Sequence, residues 1–254
     1  MRILRLTLAY DGTPFVGFQR QAAGASIQGL LEDALAPLEG APVTVHGAGR
    51  TDAGVHALGQ VASVAVSFTY DTATIRRALN VNLPVTLRVL EVEDAPEGFH
   101  ARFSRGIKTY RYQIANTQVV SPFLAPFAWH VPDHLRVDAM AEAAAMLVGE
   151  HDFAAFQSAG ATVTTTVRTI TVSALTRQAA VSGDAALQDL LVYEVSGSGF
   201  LRHMVRAIAG TLVEVARGQR TPESMRRLLT GANRHDAGPT APAAGLCLVR
   251  VDYT

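Results

Sequence analysis

One carboxylate, Asp52, stands at the centre of the run Gly47-Ala48-Gly49-Arg50-Thr51-Asp52-Ala53-Gly54-Val55-His56-Ala57. Gly47, Gly49 and Gly54 let the backbone turn sharply and come close to a ligand. Arg50, two residues from Asp52, can hold a neighbouring carboxylate in its charged form, the state in which it acts as a nucleophile. The run lies between two apolar stretches, so it is expected at the edge of a sheet. Asp-x-Gly is also a common structural turn, and the rest of the chain must decide between the two.

Cations cluster in two other places. Between residues 98 and 112 stand Arg102, Arg105, Lys108 and Arg111 with no acidic residue among them. Between 195 and 213 stand Arg202 and Arg206, again without an acid. Lys108 is the single lysine; every other cation is an arginine. Arginine suits planar, bidentate contact with phosphate, although a base-composition bias in the genome gives the same preference. The net charge is zero, so the overall balance does not advertise a nucleic-acid binder.

The elements that position these residues follow from the apolar pattern. The chain has 254 residues, 48% of them hydrophobic and 17% charged, enough to bury a sizeable core. No apolar run reaches the ~18 residues of a membrane span. Cys247 is the one cysteine and reads as a buried thiol. A cytoplasmic protein with no membrane association is expected.

Leu4, Leu6, Leu8 and Tyr10 alternate as in a strand, with Asp11-Gly12 as a turn. Ile27, Leu31, Leu35 and Leu38 recur at helical spacing, with Ser26 as N-cap and Gly40 as the stop. Residues 43–45 and 60–68 read as the middle strands, a short helix follows Asp71-Thr72, and Val85, Leu87 and Val89 form the next strand. The second half repeats this order: a strand over 107–115 with Tyr110, Tyr112 and Ile114 on one face, and an Ala-rich helix over 137–148. Strands over 163–176 and 190–195, helices over 200–216 and 222–229, and a last strand over 246–251 complete it. Two βαββαβ halves, 1–100 and 101–254, are expected, an α+β fold of ferredoxin-like type. The two would form one extended, mainly antiparallel sheet with helices on one side and a catalytic cleft on the other.

Arg50-Thr51-Asp52-Ala53-Gly54-Val55-His56-Ala57 resembles the signature of the tRNA pseudouridine synthase A (TruA) family. Four more stretches agree in order and spacing: Phe18-Gln19-Arg20-Gln21, Lys108-Thr109-Tyr110-Arg111-Tyr112, Gly199-Phe200-Leu201-Arg202-His203-Met204-Val205-Arg206, and Ala241-Pro242-Ala243-Ala244-Gly245-Leu246. Five motifs in register make the resemblance specific. It implies an isomerase that detaches uracil from its ribose, turns it and rejoins it through carbon 5, in the tRNA anticodon stem-loop at tRNA positions 38–40.

The resemblance assigns Asp52 as the catalytic carboxylate, acting on ribose, on the base, or as a proton acceptor. A uridine in a stem must be flipped out, at a cost of a few kcal/mol. Tyr110 would stack on the flipped base, Arg206 would pair with the carboxylate and share a helix face with Arg202, and Leu246 would pack on the base. Arg50 would shape the loop and take part in extrusion. Without the resemblance, Tyr110 and Leu246 read as core, and Arg206 as a phosphate contact or solvated charge. Arg20, Arg102, Arg105, Lys108, Arg111 and Arg202 are candidates for phosphate contacts, which position RNA without reading it.

No cofactor or metal is implied. The partners implied are tRNA and a second copy of the chain. Phe18 stands where many relatives have tryptophan, and the Ser/Thr/Ala/Gly-rich stretch over 157–166 departs from the family's pattern. Two other readings compete with it: a catalytically silent RNA-binding module, and a metal-dependent hydrolase with His46, Asp52 and His56 as ligands.

Overall fold

Alternation sets the first strand. In β1 (Arg2–Tyr10) the side chains of Leu4, Leu6, Leu8 and Tyr10 are buried while Arg5 and Thr7 are only half-buried. The computed structural model describes residues 1–158, 163–180 and 188–253. It divides into two units, residues 1–106 with 247–254, and residues 107–246. The expected halves, 1–100 and 101–254, differ from these units in where they place 101–106 and the last strand.

In the first unit β1 is followed by α1 (Ile27–Glu39), β2 (His46–Gly47), β3 (His56–Val66), α2 (Thr72–Asn82) and β4 (Leu87–Asp94). β1 lies between β3 and β4 and is antiparallel to both, and β2 is antiparallel to β3. The Ser26 hydroxyl caps α1 by accepting the Gly29 N–H at 3.2 Å, and Gly40 ends the helix with φ +76°. Asp71 caps α2 through the Thr74 N–H at 2.9 Å. α1 packs against α2, and α2 against β4.

The second strand was expected over 43–45 but begins three residues later, at His46. The Val45 N–H is taken by Glu32 Oε1 (3.1 Å) and its carbonyl by Gln28 Nε2 (3.0 Å), so helix side chains satisfy the backbone that a ladder would have used. β3 begins four residues earlier than expected. It ends at Val66, because the Ser67 N–H turns to the Glu39 carboxylate. Val85, expected in β4, is exposed ahead of the strand.

The second unit comprises β5 (Gly106–Ala115), β6 (Trp129–His130), α3 (Val137–Ala145), β7 (Gly149–Asp152), β8 (Val167–Ala180), β9 (Gln188–Gly197), α4 (Met204–Ala216) and α5 (Ser224–Leu228). β9 lies between β5 and β8, and β7 lies beyond β8, each of these pairs antiparallel, while β6 runs parallel to β5. β6 and β7 were not anticipated. α4 is buried along nearly its whole length, and α3 packs against it and β8. Both units are α+β with mostly antiparallel pairing.

The helix expected over 200–216 starts only at Met204. His203 adopts φ +62°, a left-handed conformation that breaks the helical path. Arg202 therefore precedes the helix and does not stand one helical turn before Arg206, so the expected shared face is not formed. The last strand, β10 (Leu246–Tyr253), places Cys247 and Leu248 parallel to His56 and Ala57 of β3. Among the described residues, no helix is long and apolar enough to cross a membrane. Residues 159–162 of the 157–166 stretch lie outside the described residues.

Candidate active site

The loop that carries Asp52 is bonded to the core on both sides of the carboxylate. On its N-terminal side the Ala48 N–H donates to the Val61 carbonyl at 2.7 Å, and Gln60 Nε2 donates to the Gly49 carbonyl at 2.9 Å. The Thr51 hydroxyl meets the Tyr10 phenol oxygen at 2.8 Å, and the Thr51 carbonyl accepts the Phe18 N–H at 3.0 Å. On the C-terminal side the Val55 N–H closes a turn onto the Asp52 carbonyl at 3.1 Å. Gly54 supplies the left-handed φ of +76° that this turn uses. Asp52 is half-buried, and Arg50 is exposed.

A second strand of chain is pressed against this loop. A Cβ at Gly12 would stand 2.1 Å from the Val55 carbonyl oxygen, and one at Gly17 would stand 2.8 Å from the Thr51 oxygen. The Gly12 N–H donates to His56 Nδ1 at 3.0 Å, which places that nitrogen in a structural bond. Asp11 Oδ1 lies 3.2 Å from the same nitrogen. Burial opposes ionisation of Asp11, but the Thr13 hydroxyl and N–H, together with His56, outweigh it and hold the carboxyl below its ordinary range. Burial pushes the Tyr10 phenol up to about 12, so it remains protonated beside Thr51.

In the second unit Tyr110 is buried on β5 opposite Val195 of β9, and Phe200 meets its ring edge-on with centroids 5.0 Å apart. Arg206 on α4 and Ala241 are doubly linked. Arg206 Nε donates to the Ala241 carbonyl at 2.8 Å, and the Ala241 N–H donates to the Arg206 carbonyl at 3.1 Å. The Tyr112 hydroxyl donates to the Pro242 carbonyl at 2.8 Å, and a Cβ at Gly245 would stand 2.6 Å from the Tyr112 ring. Burial pushes the Tyr112 phenol up, with the Arg206 charge a smaller opposing influence. These contacts fix the segment that ends at Leu246, a buried side chain at the head of β10.

The cations divide by what they already bind. Arg20 is spent on Glu32 (2.8 Å), Asp33 (2.7 Å) and the Gly29 carbonyl (3.0 Å). Arg111 pairs with Glu194 at 2.8 Å. Lys108 is half-buried, and that burial lowers its pKa. Arg102, Arg105 and Arg202 are exposed, and among the described residues none of the three forms an ion pair. His46 stacks on His100 at 4.6 Å. Among the described residues no three of His, Cys, Asp or Glu gather as metal ligands would, so the trio His46, Asp52 and His56 is not assembled.

The residues that hold the loop were not singled out from the sequence. Gln60 carried the one usable signal, an amide in an apolar strand; it is fully buried, so its amide must find partners within the fold. Tyr10 gave none, since a tyrosine ending an apolar alternation reads simply as core.

A family model described as tRNA pseudouridine synthase matches residues 7–104 and 143–254 of this chain. The tRNA pseudouridine synthase A of Syntrophotalea carbinolica is 46% identical over 254 residues, covering 100% of this chain and 97% of its own. Those of Solidesulfovibrio magneticus (46% over 258 residues, 100% and 92% covered) and Geobacter sulfurreducens (42% over 253 residues, 100% of both) are similar in the same way. The chain belongs to the tRNA pseudouridine synthase A family.

Proposed function

We propose that the chain isomerises uridine to pseudouridine in the anticodon stem-loop of tRNA, at tRNA positions 38–40, with Asp52 as its catalytic carboxylate. The glycosidic carbon–nitrogen bond breaks and a bond from carbon 5 to the ribose forms. The carbon 5 hydrogen leaves as a proton, and the nitrogen freed from the sugar ends protonated. Nothing is oxidised and no group is transferred, so the chemistry asks for no cofactor.

Family membership supports the reaction. The observation that supports the assignment of Asp52 is the bonding of its loop at Ala48, Gly49, Thr51 and Val55, which anchors the backbone on both sides of it. Such positioning converts a collision into an oriented encounter. In this reading Tyr110 stacks on the flipped uracil, Leu246 packs against it, Arg206 pairs with Asp52, and Arg50 shapes the loop and takes part in extruding the base. Each unit is read as a ferredoxin-like half. Two copies of the chain grip one tRNA, and the enzyme works in the cytoplasm.

The test is tritium release from tRNA carrying uridine labelled at carbon 5. The native protein releases label and Asp52→Ala does not, while retaining tRNA binding. Release by Asp52→Ala overturns the role of Asp52; no release by the native protein overturns the activity.

A further inference from the structure

Three rings stand in a row on the first unit: His46, just ahead of the Asp52 loop, and His100 and Phe103, far from it in sequence. His46 lies against His100 with centroids 4.6 Å apart, and His100 against Phe103 at 4.5 Å, with interplanar angles of 31° and 37°. The row ends in Phe103, a phenylalanine that is 73% exposed even with His100 against it. The Arg102 guanidinium carbon lies 5.5 Å from the Phe103 centroid, and Arg105 is exposed two residues on. A large, water-facing aromatic side chain held in a row of rings and flanked by uncommitted cations is poorly explained by core packing.

The platform is rigid. Two elements converge on Ser63 of β3: His46 pairs with it across the strand ladder, and its hydroxyl accepts the Ala101 N–H at 3.0 Å. The Ala101 carbonyl accepts the Tyr253 hydroxyl at 2.6 Å, and Ala101 itself is buried. The turn is closed by the Phe103 and Ser104 N–H groups on the His100 carbonyl (3.1 and 2.9 Å), and by the Arg102 N–H on His100 Nδ1 (3.1 Å). Burial above all, with His46 and Arg102 nearby, lowers the pKa of His100, in keeping with Nδ1 accepting the Arg102 N–H.

We infer that Phe103, backed by His100 and His46, is a stacking platform for one unpaired nucleobase of the tRNA, with Arg102 and Arg105 on the adjoining phosphates. The inference rests on the proposed function, which supplies an RNA. Aromatic faces bind unstacked bases regardless of sequence, and arginine completes such sites through phosphate contact and stacking. The charge is complementary to RNA: the turn 98–106 carries two free arginines and no carboxylate. The platform would hold a base other than the reacting uridine and so contribute to affinity and register.

The experiment measures the Kd for an unmodified tRNA transcript by fluorescence anisotropy at fixed salt, for the native protein, Phe103→Ala, Phe103→Leu and Phe103→Tyr, with mass by light scattering. Phe103→Ala and Phe103→Leu weaken binding about tenfold, and Phe103→Tyr, which keeps the π face, stays within about twofold of native. Equal Kd across the series overturns the platform. So does a loss in Phe103→Leu no larger than in Phe103→Tyr, or a change of mass in Phe103→Ala, which assigns the ring to contact between copies of the chain. Tritium release by the native protein is measured alongside: its absence overturns the proposed function, while release with an unchanged Kd series overturns the platform alone.

Discussion

The Tyr10 phenol oxygen lies 2.8 Å from Thr51 Oγ1, so the last side chain of β1 grips the residue immediately before Asp52. Both residues are buried, and Gln60 Nε2 approaches the same phenol oxygen at 3.4 Å. The loop that carries Asp52 is therefore held by the strands beneath it, and not only by its own turn.

Tyr10→Phe keeps the ring in the core and removes one hydroxyl. It leaves Thr51 and Gln60 each short of a partner, which costs about 1–3 kcal/mol for a buried polar group. Urea denaturation should show that loss. A carboxylate freed to shift by a fraction of an ångström should turn over about tenfold more slowly, with the Kd for tRNA unchanged. Native kcat in this variant would show that the loop is held without the phenol.

Two glycines separate positioning from stability. Gly12→Ala puts a methyl 2.1 Å from the Val55 carbonyl, backbone against backbone, where no rotamer change relieves the clash. Gly40→Ala strains a left-handed helix cap at φ +76°, but its methyl meets nothing within 4 Å. Gly40→Ala should cost about 1 kcal/mol and leave tritium release intact. Gly12→Ala should abolish release or fold poorly. Equal activity in the two would mean that the segment around Gly12 does not press on the loop.

What could be read ahead of the structure was whatever is encoded locally. The alternation of β1, the caps Ser26 and Asp71, and the glycine-framed Asp52 each depend on residues within one turn or strand of one another. The supports of the site do not. Tyr10 reaches Thr51 across 41 residues and Gln60 reaches Tyr10 across 50, and neither pairing leaves a periodic trace. Errors arose where side chains compete for backbone. Glu32 and Gln28 draw off the expected second strand, and the left-handed His203 delays α4 to Met204.

Tyr112 and Gly245 together place the head of β10. Tyr112→Phe leaves the Pro242 carbonyl without the hydroxyl at 2.8 Å, and Gly245→Ala drives a methyl to 2.6 Å from the ring. If Leu246 packs on the substrate base, Gly245→Ala should raise KM and lower kcat together, and Tyr112→Phe should do so more mildly. The pair should also be non-additive, because they act on one contact. Additive effects in the double variant would mean that they act separately.

At high pH the phenols should govern stability. A tyrosine ordinarily titrates near 10, and Tyr10 in the fold is pushed up to about 12 by burial. Between those values the unfolded chain has given up a proton that the folded chain keeps. The contribution is therefore complete below pH 10 and is lost as pH rises through 12, at up to about 1.4 kcal/mol per pH unit. Urea midpoints taken from pH 9 to 12 should fall less steeply in Tyr10→Phe than in the native protein. Parallel curves would place Tyr10 in a more polar setting than its contacts imply.

The cations should differ in what they give to RNA binding. Arg20 is held by Glu32 and Asp33, so using it on a phosphate would mean breaking two ion pairs. Arg105 is exposed and, among the described residues, forms no ion pair. Each phosphate neutralised releases counterions, so the slope of log K against log salt counts such contacts. Arg105→Ala should lower the magnitude of that slope by about 1 and weaken binding evenly across tRNA sequences. Arg20→Ala should leave the slope unchanged and should instead loosen the segment that Arg20 ties to α1, which thermal denaturation would detect. A reduced slope in Arg20→Ala would show that the arginine leaves its carboxylates for the RNA.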